Sequence, residues 1–358
     1  DGAMSKPARR KGEEKPGPQR KINLALQGGG AHGAFTWGVL DELLSDHTLS
    51  ITALSGASAG AMNAAVAATG LVEGGPEGAR AALAAFWRAV NREAKRLAPY
   101  ISLMDETPNF TAATTAWMNL FQLGHVSITP HPANGRPAQV LLEGVVEEHV
   151  DLRALRSPNA PRLFISATQV RTGQARIFTN EDLSIEAIVA SACLPMAFPA
   201  VIIDGEEYWD GGYSANPPIV PLVLEAGHDD VVLVTVNPIQ REKVPESPAR
   251  IPDRLSEMAF NQTLVKDMRS IALLKAELDG RPPVCGVPFI EAISNLRLHE
   301  IQNEEAMRSF SSKSKMFPSW ELLSDLHELG TETAKHWMGR HRANVGVTGT
   351  ADFEDRYL

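Results

Sequence analysis

From Lys21 the chain alternates short apolar runs with longer segments whose apolar residues recur at helical spacing. Ile22-Asn23-Leu24-Ala25-Leu26 predicts a strand, and the glycine-rich turn after it leads into a helix from about Gly33 to Leu44. Leu49 to Leu54 predicts a second strand, and Gly60 to Ala68, mostly Ala, Met and Val, a second helix. Ala79 to Leu97 predicts a helix that ends before Pro99, and Arg162 to Thr168, Ala175 to Thr179 and Val231 to Val236 predict further strands. Leu255, Met258, Leu264, Val265, Met268, Ile271, Leu274 and Leu278 fall at helical spacing, which predicts a helix facing a core. Arg254, Lys266, Arg269 and Lys275 accompany that stripe and would equally suit an interfacial helix. Strands alternating with helices in this way imply a mainly parallel sheet covered by helices.

Three stretches lack the pattern. Residues 1–20 are rich in Lys, Arg, Pro and Gly and read as a disordered basic tail, with Asp1-Gly2-Ala3 ahead of Met4 resembling a cloning remnant. Such a tail can attract an anionic membrane, although a solvated tail is the commoner outcome. Residues 98–137 carry five prolines around Trp117-Met118-Asn119-Leu120-Phe121, which suits a lid, part of an acyl pocket, or a loop packed on itself. The last dozen residues are expected to be loose.

Composition narrows the function classes. A net charge of −9 argues against a nucleic-acid partner, which requires a basic footprint. Cys193 and Cys285 are far apart, give neither a metal-binding spacing nor a disulfide framework, and fit a reducing compartment. The longest apolar run, Ala187 to Ile203, is broken by Pro195 and Pro199 and is too short to span a bilayer. A cytoplasmic location is therefore the expectation, and peripheral membrane contact and the oligomeric state are left open.

The chemistry concentrates at turns. Gly56-Ala57-Ser58-Ala59-Gly60 lies between a strand and a helix, where a sharp turn presents a serine hydroxyl over the helix N-terminus. The pattern arises by chance in about one chain in eight of this length at average composition, so it needs support from elsewhere. A nucleophilic serine needs donors for the oxyanion and a base for its proton. Gln27-Gly28-Gly29-Gly30-Ala31-His32-Gly33, between the first strand and its helix, can turn several N–H groups toward one point at a helix N-terminus. The same glycines, Gly28, Gly30 and Gly33, satisfy a dinucleotide fingerprint, but the second strand ends at Ser55-Gly56 without the carboxylate that fingerprint requires, and Asp46 precedes the strand. None of the ten histidines has a telling context; His228 and His299 are the candidates for an ordinary triad. Asp210, followed by Gly211 and Gly212, can approach another backbone closely and contact a serine hydroxyl directly, or can simply form an Asp-Gly turn.

Taken in order, Gly28-Gly29-Gly30-Ala31-His32-Gly33, Gly56-Ala57-Ser58-Ala59-Gly60 and Asp210-Gly211-Gly212 resemble the three signatures of patatin-like phospholipases. Ser191-Ala192-Cys193-Leu194-Pro195-Met196-Ala197-Phe198-Pro199 is similar to the segment that precedes the family's aspartate. The resemblance implies a three-layer α/β/α fold with a mainly parallel central sheet, a catalytic domain over 21–240, a helical C-terminal region over 241–345 packed on it, and a loose tail over 346–358. It implies a serine lipid acyl hydrolase of the phospholipase A, lysophospholipase or esterase type, with Ser58 as nucleophile and Asp210 as proton acceptor. The N–H groups of Gly28, Gly29 and Gly30 would form the oxyanion hole, with Gly33, Gly56, Gly60, Gly211 and Gly212 in support. The substrate would be a lipid or acyl ester, with no metal or organic cofactor. Many members carry Arg or Lys where this chain has His32, so a cation expected beside the loop is missing from that position. The rival readings are an acyltransferase using the same acyl-enzyme and a non-catalytic ligand-binding protein using the glycine loop.

Overall fold

The computed structural model describes residues 19–105 and 136–358, apart from positions 196, 242, 247–250, 283–285, 311–313, 316–317 and 353–355. The Trp117–Phe121 cluster, Cys285 and the basic tail before residue 19 lie outside the described residues. Strands β1 (Arg20–Leu26), β2 (Leu49–Gly56), β3 (Arg162–Gln169), β4 (Ala175–Phe178), β5 (Val201–Ile203), β6 (Glu206–Asp210), β7 (Asp230–Val234) and β8 (Arg297–Ile301) form one sheet. Its order is β5-β6-β3-β2-β1-β7-β8, with β4 paired to β3 off this path. The pairs β1–β2, β1–β7, β2–β3 and β7–β8 are parallel; β4, β5 and β6 join antiparallel at the β3 side.

The helices are α1 (Gly33–Ser45), α2 (Ala59–Asp105), α3 (Arg136–His149), α4 (Leu152–Leu155), α5 (Ile185–Ala190), α6 (Ile219–Glu225), α7 (Ile251–Leu278), α8 (Pro288–Asn295), α9 (Glu304–Met307) and α10 (Trp320–His341). Strand residues alternate between two apolar layers because successive side chains point to opposite faces. Ile22, Leu24 and Leu26 of β1 and Val232 and Val234 of β7 enter one core with α1, α2, α3 and α10. Ala25, Val231 and Leu233 enter the other, against Leu222, Leu264, Met268 and Ile271 of α6 and α7. These two layers give the expected α/β/α sandwich.

Several expectations are revised. The two helices expected over Gly60–Ala68 and Ala79–Leu97 are separated at Gly74 and Gly75, where the backbone leaves helical angles, and the second of them runs past Pro99 to Asp105. The C-terminal region is not purely helical, since β8 extends the parallel sheet beside β7. The described residues of 346–358 are tied down where a loose tail was expected: the Gly346 N–H donates to Asp230 at 2.8 Å, the Thr350 N–H to the Leu298 carbonyl at 2.8 Å, and Tyr357 is buried. Arg356 fixes that end by pairing with Glu300 and Glu304 at 2.9 and 2.7 Å. On α7 the stripe is divided: Leu264, Met268 and Ile271 face the core, while Leu255 and Met258 near the start are more than half exposed. No helix of the described residues is long and apolar enough to cross a membrane.

Candidate active site

Two parallel neighbours, β1 and β2, end side by side, with Leu26 opposite Gly56, so the loops that follow them must meet. After β2 the chain turns through Ser58, whose φ of 53° is left-handed, a conformation that costs a non-glycine residue on the order of 1–3 kcal/mol. The turn is held from outside: the Ser58 N–H donates to the Ser191 carbonyl at 3.0 Å and to Ser191 Oγ at 2.9 Å. It also needs small neighbours. A Cβ on Gly28 would come within 2.6 Å of the Ala57 carbonyl oxygen and 2.7 Å of Ser58 Cβ, and one on Gly60 would collide with the Leu26 carbonyl. Gly33 packs against Ala59 and Trp87, and Gly56 against Gly60. Ser58 leads directly into α2, whose N-terminal partial positive charge favours an anion at this point.

Asp210 ends β6, where it pairs with Ala167 of β3. Its position is set by the same segment that holds Ser58. The Asp210 N–H donates to the Cys193 carbonyl at 2.9 Å, and the Gly211 N–H to the Ser191 carbonyl at 3.0 Å. Ser191 thus bridges the two turns. Asp210 is fully buried; its Oδ1 accepts the Gly212 N–H at 2.7 Å, while Oδ2 makes no hydrogen bond among the described residues. The Ser58 hydroxyl stands close enough to weigh on the carboxyl without a well-aligned bond to Oδ2. Burial pushes the Asp210 pKa up to about 7, and the Gly212 N–H and the Ser58 hydroxyl only partly offset it. A carboxylate with a pKa near 7 is a much stronger base than an ordinary aspartate, which suits proton abstraction. Gly211 packs against the Ser166 backbone and Gly212 against the Phe260 ring, which lies 4.9 Å from the Tyr213 ring.

The glycine loop is clamped by side chains that no sequence pattern announced. The Gly28 N–H donates to Asn216 Oδ1 at 2.7 Å, and the Gly28 carbonyl accepts from Asn237 Nδ2 at 2.8 Å. Gln27 Oε1 accepts the N–H groups of Val236 and Asn237, each at 2.9 Å. Of the three N–H groups expected to face an oxyanion, that of Gly28 is taken by Asn216, whereas no acceptor among the described residues takes that of Gly29 or Gly30. Gly30, at φ 58°, is the glycine here that needs the left-handed region.

The triad candidates lie elsewhere. His299 is in the middle of β8, opposite Val232, with its ring bonded to Asp230 at 3.1 Å and Thr350 at 3.0 Å. Burial pushes the Asp230 carboxyl up, but the hydrogen bonds from His299 and Arg297 outweigh it and hold Asp230 well below the usual carboxylate range. This cluster sits at the start of β7 and pins the C-terminal tail. The His228 carbonyl accepts from Asn23, before β7 begins. Asp46 caps the turn before β2 through the Thr48 N–H and pairs with Arg342, far from the glycine loop. His32 is nearest the site; burial first and the charge of Lys315 second lower its pKa to about 3, so the ring is neutral. No group of three His, Cys, Asp or Glu side chains among the described residues is placed to hold a metal ion.

No curated protein matches the chain. Among solved structures, the crystal structure of VipD from Legionella pneumophila aligns with a TM-score of 0.43 and 14% identity, covering 90% of this chain and 67% of that one. The family model for patatin-like phospholipases matches residues 24–223. That span is more than half of the sequence and runs from β1 through the glycine loop, Ser58 and Asp210 to α6, so the chain belongs to the patatin-like phospholipase family.

Proposed function

We propose that this protein hydrolyses carboxylic esters of lipids through Ser58 and Asp210. The observation that carries the reading is the pairing of a serine on a left-handed turn with a buried carboxyl whose pKa lies near 7 and whose Oδ2 has no other partner among the described residues. Ser58 Oγ attacks the ester carbonyl as Asp210 Oδ2 takes its proton. The tetrahedral oxyanion forms against the N–H groups of Gly29 and Gly30. Collapse breaks the bond to the alcohol, whose oxygen takes the proton back from Asp210, and leaves an acyl-enzyme on Ser58. Water then attacks the acyl carbon, its proton passes to Asp210, and release of the fatty acid returns a proton to Ser58 Oγ. Membership of the family supports lipid acyl hydrolysis broadly. Tyr213, Leu255 and Met258, all more than a third exposed and close in sequence to Asp210 or to Phe260, support an apolar approach for the acyl chain. The test is labelling by a fluorophosphonate, which requires an activated serine. Wild-type protein should be labelled at Ser58, and Ser58→Ala and Asp210→Asn should not. Equal labelling of wild type and Ser58→Ala, or full turnover of a chromogenic acyl ester by either variant, would overturn the reading.

A further inference from the structure

The glycine loop is held by residues beyond the matched span 24–223. Asn237 lies shortly after β7 and is buried. Lys315 Nζ, which can only donate, meets Asn237 Oδ1 at 2.6 Å, so Asn237 Nδ2 is the donor that reaches the Gly28 carbonyl at 2.8 Å. The backbone of Asn237 is fixed as well. Its N–H donates to Gln27 Oε1, Gln27 Nε2 donates to Asn261 Oδ1, and Asn261 Nδ2 returns to the Pro238 carbonyl, each at 2.9 Å. All three amide side chains are buried, so water does not compete for these bonds.

The Gly28 carbonyl and the Gly29 N–H belong to one planar peptide, and a trans peptide points them in opposite directions. The only cis bond among the described residues is Asn216–Pro217. Strand β1, which leads into the loop, lies between β2 and β7 in the sheet. Asn237 follows β7 and draws the Gly28 carbonyl to that side. The Gly29 N–H is thereby turned to the β2 side, where the Ser58 turn follows β2. Gly28 abuts that turn: a Cβ on it would come within 2.7 Å of Ser58 Cβ. No acceptor among the described residues takes the Gly29 N–H. We propose that Asn237 is a positioning residue that aims the Gly29 N–H at the oxyanion formed on Ser58. It acts through the shared peptide plane, without contact with the reacting atoms. The inference rests on the Ser58–Asp210 reading.

The experiment uses full-length wild type, Asn237→Asp, Asn237→Ser and Ser58→Ala. Asn237→Asp keeps an oxygen for Lys315 but turns a second oxygen on the Gly28 carbonyl, acceptor against acceptor, so the peptide is no longer held. Asn237→Ser removes the amide donor without adding a charge. Two quantities are read: kcat and KM for a chromogenic acyl ester, and the affinity for an alkyl trifluoromethyl ketone. Ser58 Oγ bonds to the carbonyl carbon of that ketone, its proton passes to Asp210, and the carbonyl oxygen takes the electron pair of the broken π bond as an oxyanion. Both variants should lower kcat by ~100- to 1,000-fold, the loss found for one oxyanion donor, with KM nearly unchanged. Affinity for the ketone should fall by the same factor, and the pH midpoint of turnover should stay at its wild-type value. Near-ultraviolet circular dichroism gives the folded fraction, by which kcat is corrected. If Asn237→Asp alone fails to fold, Asn237→Ser decides. A loss that falls on KM with kcat retained, a kcat loss without a matching loss of ketone affinity, or full activity in either variant would overturn the proposal. Failure of both variants to fold would make Asn237 a prop for the fold and overturn it as well. These results leave the dyad standing, whereas wild-type rates no higher than those of Ser58→Ala sink the dyad and this inference together.

Discussion

Replacing Asp210 by Asn should remove activity and stabilise the fold at the same time, by an amount that depends on pH. The carboxyl is fully buried and burial raises its pKa from 3.8 to about 7. The folded state therefore holds this proton more tightly than the unfolded chain does. Below pH 3.8 both states carry it and burial costs nothing extra; as pH rises toward 7 the unfolded state gains from ionisation and the folded state does not. Stability is lost across that window, and above it the loss levels off. A tenfold difference in proton affinity between the two states corresponds to about 1.4 kcal/mol, so the full penalty is about 4 kcal/mol at pH 8 and about 2 kcal/mol at pH 5. Asparagine is a permanently neutral analogue that can still accept the Gly212 N–H through its amide oxygen. Urea unfolding of wild type and Asp210→Asn in parallel removes every other titration common to the two. The stability difference should widen in favour of the variant by about 2–3 kcal/mol between pH 5 and pH 8. A difference that stays level over that range would refute the raised pKa, and with it the inference that burial makes Asp210 a base.

The raised pKa also sets the pH profile: Asp210 must be ionised to accept a proton, so kcat/KM should rise with pH to a plateau with a midpoint at about 7, and a midpoint near that of an ordinary aspartate would contradict it. Asn216→Ala removes the acceptor of the Gly28 N–H and leaves a buried donor unpaired, which should cost about 1–3 kcal/mol in urea unfolding and lower kcat more than it raises KM. His299→Ala takes partners from both Asp230 and Thr350 in the core and should cost about 2–4 kcal/mol of stability, while the kcat/KM of the folded fraction for a chromogenic ester stays unchanged. Collapse of that activity would point to a histidine base.

Much of the site was legible because its parts are local. A strand followed by Gly-x-Ser-x-Gly and an alanine-rich segment specifies a turn, and the serine on it does sit at φ 53°. The short apolar runs between helical segments forecast a sheet covered on both faces, and β7 is buried at all five positions and β1 at its last five, with side chains shared between the two cores. What escaped was non-local. Asn216 and Asn237 reach Gly28 across 188 and 209 residues of chain, Lys315 reaches Asn237 across 78, and single polar residues in loops carry no periodicity to mark them. Composition made 346–358 look loose, yet Asp230 and His299 inside the sheet supply its partners.

The central claim is that Ser58 carries the acyl group. Intact-protein and peptide mass spectrometry, after rapid acid quench of the enzyme turning over an acyl ester, reads this directly. The account predicts an acyl adduct on the peptide containing Ser58, absent in Ser58→Ala and in Asp210→Asn. An adduct on any other residue, or turnover with no adduct at Ser58 when deacylation is limiting, would contradict it.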